Sequence, residues 1–141
     1  SEMCIRDSFG VTLREGRAYV ADVLDNSVTV VDLGRRTVVG KVETGERPYA
    51  VAFAAGRGFV TDQYGGTLTV FDPGTLAVTG QVTVGDYPEG ISVAADGRTL
   101  FVANWLSDSV MRIDGETLTV EQEIAMPPGP RAFGSFIADT N

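Results

Sequence analysis

Asp22, Asp62 and Asn104 recur along the chain, each closing a short aromatic-led apolar run, and a second trio follows at Asp32, Asp72 and Asp114. Hard cations take several oxygens of this kind. Repetition in every copy argues for structure instead, because a binding centre needs a unique position. Each side chain is expected to accept hydrogen bonds from the backbone of the turn that follows it, as Asx residues do. Asp22-x-x-Asp25-Asn26 has oxygens to spare but lacks the spacing and the glycine of an EF-hand loop. No metal site is expected. Histidine is absent, which removes imidazole ligands, general bases and His-based triads from these residues. No Gly-rich phosphate cradle or nucleophile elbow stands out. Asp86 and Glu89 lie three apart, but in a loop that spacing fixes no geometry. Neither catalytic residues nor a cofactor are expected here.

The remaining candidates are for binding. Tyr49, Tyr64, Tyr87 and Trp105 fall in polar segments together with Arg47 and Arg131. Aromatic residues with arginine are what recognition surfaces use. The competing role is packing, since Tyr and Trp are commonly part-buried.

The elements that must position these side chains come from a repeat. Tyr19-Val20-Ala21-Asp22 returns as Phe59-Val60-Thr61-Asp62 and Phe101-Val102-Ala103-Asn104, at steps of 40 and 42. Asp32, Asp72 and Asp114 each stand thirteen residues after the aromatic, and Pro48, Pro88 and Pro130 share one phase. Within each copy the apolar period is two, the period of strands. In the third copy strands are expected near 90–94, 99–103, 109–114 and 118–125. Four short antiparallel strands per repeat of this length is the blade of a β-propeller. The predicted class is all-β, a partial propeller of three four-stranded blades over 9–44, 50–84 and 90–126, with one closing strand over 132–137. Glu15-Gly16 and Asp96-Gly97 read as tight hairpin turns on the opposite face from the candidate loops.

Composition agrees. Val, Thr and Gly make up more than a third of the 141 residues, a β-rich and turn-rich mixture. The net charge of -8 argues against a nucleic-acid-binding face, which needs clustered positive charge. No apolar run approaches the roughly 20 residues of a membrane-spanning helix. Residues 1–8 show neither strand nor helix periodicity and read as a non-native read-through segment, so the single Cys, Cys4, falls outside the repeat.

The aromatic-Val-Ala/Thr-Asn/Asp strand, the Val-rich strand ending in Asp and the Gly-x-x-Pro link resemble the YVTN family of β-propeller repeats over 9–137. The resemblance implies a ring of about seven blades, so this chain is expected to be the C-terminal part of a larger propeller, its partner blades lying upstream. It also implies a periplasmic or extracellular location. The leading expectation is a non-catalytic binding or scaffold propeller that recognises a protein or small molecule on the face carrying Arg47, Tyr49, Tyr64, Tyr87, Trp105 and Arg131. The alternative is the propeller portion of a redox enzyme, because YVTN repeats resemble blades of quinoprotein amine dehydrogenases and of the haem-d1 domain of nitrite reductases. Its catalytic residues would then lie in other blades. A propeller lactonase ranks third, since the first strands of the three copies offer no carboxylate over 11–13, 51–53 and 91–93.

Overall fold

In a computed structural model, which describes residues 8–132 and 136–138, twelve strands form three separate sheets. The first contains β1 (Ser8–Arg14), β2 (Arg17–Asp22), β3 (Ser27–Asp32) and β4 (Thr37–Glu43). The second contains β5 (Pro48–Ala54), β6 (Arg57–Asp62), β7 (Thr67–Phe71) and β8 (Val78–Thr83). The third contains β9 (Pro88–Val93), β10 (Thr99–Asn104), β11 (Ser109–Asp114) and β12 (Thr119–Ala125). Each sheet is an antiparallel meander in chain order, and its first strand packs beside the first strand of the next sheet. This is an arc of propeller blades. No helix occurs among the described residues.

The expected strands of the third copy match to within two residues, and the shift is informative. Pro48 and Pro88, read from the sequence as link residues, open β5 and β9. Proline is tolerated there because the first residue of an edge strand need not donate to the ladder. The closing strand over 132–137 is expected to pair outside these three blades; Ala132 and 136–138 join none of the three sheets, and Phe133, Gly134 and Ser135 lie outside the described residues. Ala132 nevertheless sits over the first strand of the third blade. A Cβ built on Gly90 would fall 2.3 Å from its carbonyl oxygen, as one on Gly10 would fall 2.6 Å from that of Tyr49.

Two apolar layers hold the arc together. Between the first and second blades Tyr19, Val28, Val30 and Val42 meet Val51, Val60 and Phe71, with Tyr19 edge-on to Phe53 at 4.7 Å. Between the second and third, Phe59, Leu68, Val70 and Val82 meet Ile91, Leu100, Val102 and Ile113. Gly58 lies under the Phe71 ring, and a Cβ there would come within 2.1 Å of it. The two outer faces of the arc lack such cover. Val11 and Leu13 are 62% and 68% exposed, whereas Val51 and Ile91, which repeat Val11, are 6% and 8%.

The recurring acids divide into two kinds, which corrects half of the expectation. Asp32, Asp72 and Asp114 do accept from the following turn, from the N–H groups of Arg35, Gly74 and Glu116 at 2.9, 2.7 and 2.9 Å. Asp62 does not. Its carboxylate takes the hydroxyls of Thr67 and Thr69 on the next strand, at 2.8 and 2.7 Å, and the N–H of Gly45 in the preceding link, at 3.1 Å. Asp22 likewise takes the hydroxyls of Ser27 and Thr29. These aspartates tie neighbouring strands together rather than capping their own turns.

Candidate functional site

The loops between the second and third strands of each blade share one face with the links between blades. Backbone bonds fix the two sets together in the same way in successive blades. The N–H of Gln63 donates to Arg47 O at 2.8 Å and that of Tyr64 to Glu46 O at 3.1 Å, matched by Trp105 to Tyr87 at 2.9 Å and Leu106 to Asp86 at 3.2 Å. Arg47 and Tyr87 hold positive φ of 58° and 56°, and Gly129 takes the equivalent place at 73°. A left-handed backbone is unfavourable for residues with a Cβ, so the links are held by these bonds and by the prolines that follow.

This framework lines up five of the six residues singled out from the sequence. The Arg47 guanidinium lies 4.4 Å from the centre of the Tyr64 ring, Tyr64 lies 5.1 Å from Tyr87, Tyr87 lies 5.6 Å from Trp105, and the Arg131 guanidinium lies 4.1 Å from Trp105. The result is one file of three rings with a cation on each end, spanning three links and two loops. A hydrogen bond with the Tyr64 hydroxyl, followed by desolvation, holds the Tyr87 phenol above its usual value. Tyr64 is 45% exposed, so the file is open to solvent as well as braced.

Tyr49 stands apart from the file. It lines a groove of about 690 Å³ on the concave side of the arc, between the first strands of the three blades, with Thr12, Arg14 and Ser92. Burial first, then the charge of Glu89, pushes its phenol above the usual value, and Arg131 pulls it down.

Glu89 is the site residue that sequence reasoning passed over. It is buried. Its Oε1 accepts from Gln63 Nε2 at 2.8 Å, and its Oε2 lies 3.5 Å from Arg131 Nε. The signal was in the phase, because Tyr49, Glu89 and Arg131 hold one repeat position at steps of 40 and 42. In β5 and β9 that position falls at a register shift against the second strand of the blade. Bulges of this kind re-aim side chains. No group of residues fit to hold a metal occurs among the described residues, nor does a helix long and apolar enough to cross a membrane.

The fold and this face define an arc of β-propeller blades. Similar solved structures include a hydrazine synthase from Kuenenia stuttgartiensis, with a TM-score of 0.85 and 24% identity over 93% of this chain and 39% of that one. A dihydro-heme d1 dehydrogenase, NirN, aligns with a TM-score of 0.68 at 22% identity, over 77% of this chain and 24% of its own. A functionally unknown protein from Desulfotomaculum acetoxidans DSM 771 aligns at 0.73 and 17%, over 89% of this chain and 45% of its own. The chain thus spans less than half the length of each. At these identities the likeness is one of fold. No family model and no curated protein matches the chain.

Proposed function

We propose that this chain is part of a non-catalytic, exported binding propeller of the YVTN type, which recognises a protein or small molecule through its loop face. The observation that supports it is the file from Arg47 through Tyr64, Tyr87 and Trp105 to Arg131. Rigid aromatic side chains lose little entropy on contact, and arginine and aromatic anchors carry most of the energy in recognition surfaces. The test is alanine substitution of Tyr64, Tyr87 and Trp105 in the complete propeller. Each is expected to weaken ligand binding, read by calorimetry, by more than ~1 kcal/mol with little change in melting temperature. Equal losses of thermal stability without loss of binding would reduce the file to packing.

A second reading is favoured by two of the similar structures, a hydrazine synthase and a heme d1 dehydrogenase. In it the chain is the propeller portion of a periplasmic redox enzyme whose catalytic residues lie in blades outside it. A Cys-x-x-Cys-His haem-attachment sequence in the same reading frame, with haem absorbance in the purified full-length protein, would support this reading over the first.

A further inference from the structure

Glu89 is the charge that the fold explains least. The residue is 2% exposed, and its Oε2 accepts no hydrogen bond. A carboxylate oxygen taken out of water without a donor is costly. The nearest cation is Arg131, whose Nε stays 3.5 Å from Oε2, beyond the roughly 2.7–2.9 Å of a charge-assisted bond. The Arg131 guanidinium lies over Trp105, 4.1 Å from the ring centre, and its side chain is 47% exposed. A carboxylate floor and an indole wall therefore enclose a cation held loosely on an exposed link.

We propose that the space between the Glu89 carboxylate and the Trp105 ring is a recognition site for an alkylammonium or guanidinium group, which Arg131 fills when no such ligand is bound. The proposal rests on the reading of the loop face as the binding face and names the ligand chemistry there. The ring face attracts a cation, and the carboxylate supplies the opposite charge. Asp86 and Asp108, in the adjoining link and loop, add to the negative field of a chain whose net charge is -8. An anion would meet Glu89 and be repelled, and an apolar ligand would leave Oε2 without a donor. An ammonium or guanidinium N–H that reaches Oε2 directly makes the bond that Arg131 does not.

Trp105 is the only tryptophan, so its emission reports on the surroundings of this one ring. Methylguanidinium chloride and methylammonium chloride would be titrated into the wild-type chain and Arg131→Ala, with sodium chloride at equal ionic strength as control. The expected result is a saturable change in emission, half-saturating at about fivefold lower concentration in Arg131→Ala and abolished when Glu89→Gln is added. Circular dichroism shows that each variant is folded, and Arg131→Gln replaces Arg131→Ala if the latter is not. A response no different from sodium chloride, or saturation that Glu89→Gln leaves intact, overturns the site. An end-blocked Gly-Arg-Gly peptide distinguishes the sources: saturation at lower concentration than methylguanidinium assigns the site to a protein side chain, the reverse to a free small cation. Arg47→Ala, at the far end of the file, tests the broader reading separately. A protein whose ligand binding needs Arg47 but which neither cation saturates keeps its loop-face function and refutes the cation site.

Discussion

Thr69 Oγ1 donates a 2.7 Å hydrogen bond to Asp62 Oδ2, and both residues are buried, at 3% and 0% exposed. The same repeat position in the third blade pairs Asn104 with Met111, so the charge disappears together with the hydroxyl. The cause is physical. A buried carboxylate needs a full set of donors, and a neutral amide is less costly to leave short of one. Thr69→Met alone is expected to destabilise the chain by about 1–3 kcal/mol in urea denaturation. Asp62→Asn with Thr69→Met should recover most of that loss. Strict additivity of the two substitutions would show that the pair is not coupled.

Asp62 also gives a dependence on pH. Burial, outweighing the bonds from Thr69, Thr67 and Gly45, raises its carboxyl above the usual value. The folded value then exceeds the unfolded one. Its contribution to stability is fully present below the unfolded value and is lost as pH rises through the folded one. The wild type should therefore gain stability relative to Asp62→Asn as pH falls from 7 toward 4, read as the difference between the two urea midpoints. A constant difference across that range would contradict the assignment.

Asp96 and Asp114 act in the opposite sense. Bonds from the Thr99 hydroxyl and from the Thr99 and Arg98 N–H groups hold Asp96 at about 2. The Arg98 guanidinium, bonded through Nε and Nη2 at 3.0 and 2.6 Å, is the main cause holding Asp114 well below the carboxylate range. Depressed carboxylates stabilise above their unfolded value and lose that contribution as pH falls toward the folded one. Arg98→Lys, which cannot reproduce the paired bonds, should lower the melting temperature at pH 7 and lower it by a smaller amount near pH 2. An equal loss at both pH values would assign Arg98 to packing.

How far the sequence carried these conclusions depends on the range of the interaction. The blades were legible because Tyr19, Phe59 and Phe101 repeat in phase with Asp32, Asp72 and Asp114, and a period of two needs only local sterics. Arg47, Tyr64, Tyr87, Trp105 and Arg131 were legible as members of one face, because the repeat assigns each loop and link to a side. That they stack in a single file was not, since each contact joins different blades or links. The partners of Asp62 were misread for a similar reason. Thr67 and Thr69 face it only once the hairpin has closed and paired the strands. Glu89 was missed because an acidic residue in a polar link reads as solvated, and only the bulge and the neighbouring blade bury it.

Gly129 lies against the indole. Its φ is 73°, and a Cβ there would lie 3.1 Å from Trp105 Nε1. Gly129→Ala therefore combines an unfavourable backbone conformation, costing about 1–2 kcal/mol, with pressure on the ring that carries Arg131. The expected outcome is a shifted Trp105 emission maximum and a lower melting temperature. Arg131→Ala should shift the emission and also lower the melting temperature, because it leaves the buried Glu89 carboxylate without its cation. Unaltered emission in Gly129→Ala would mean that the ring is placed by other contacts.

The uncovered ends of the arc make the last prediction. Val11 is 62% exposed where Val51 and Ile91 are 6% and 8%, and Ile124 is 38% exposed where Val42 and Val82 are 0% and 5%. The inner interfaces show what these side chains pack against, namely the opposite face of another blade. Repeat units that stack this way bury their apolar faces only against neighbours, and apolar patches left open drive association. The chain by itself should therefore self-associate in sedimentation velocity at micromolar concentration and melt with low cooperativity. Val11→Thr with Leu13→Lys, which changes only residues exposed in this arc, should shift the distribution toward monomer without lowering the melting temperature. A monodisperse wild-type monomer that unfolds in one sharp transition would show that the end faces need no partner.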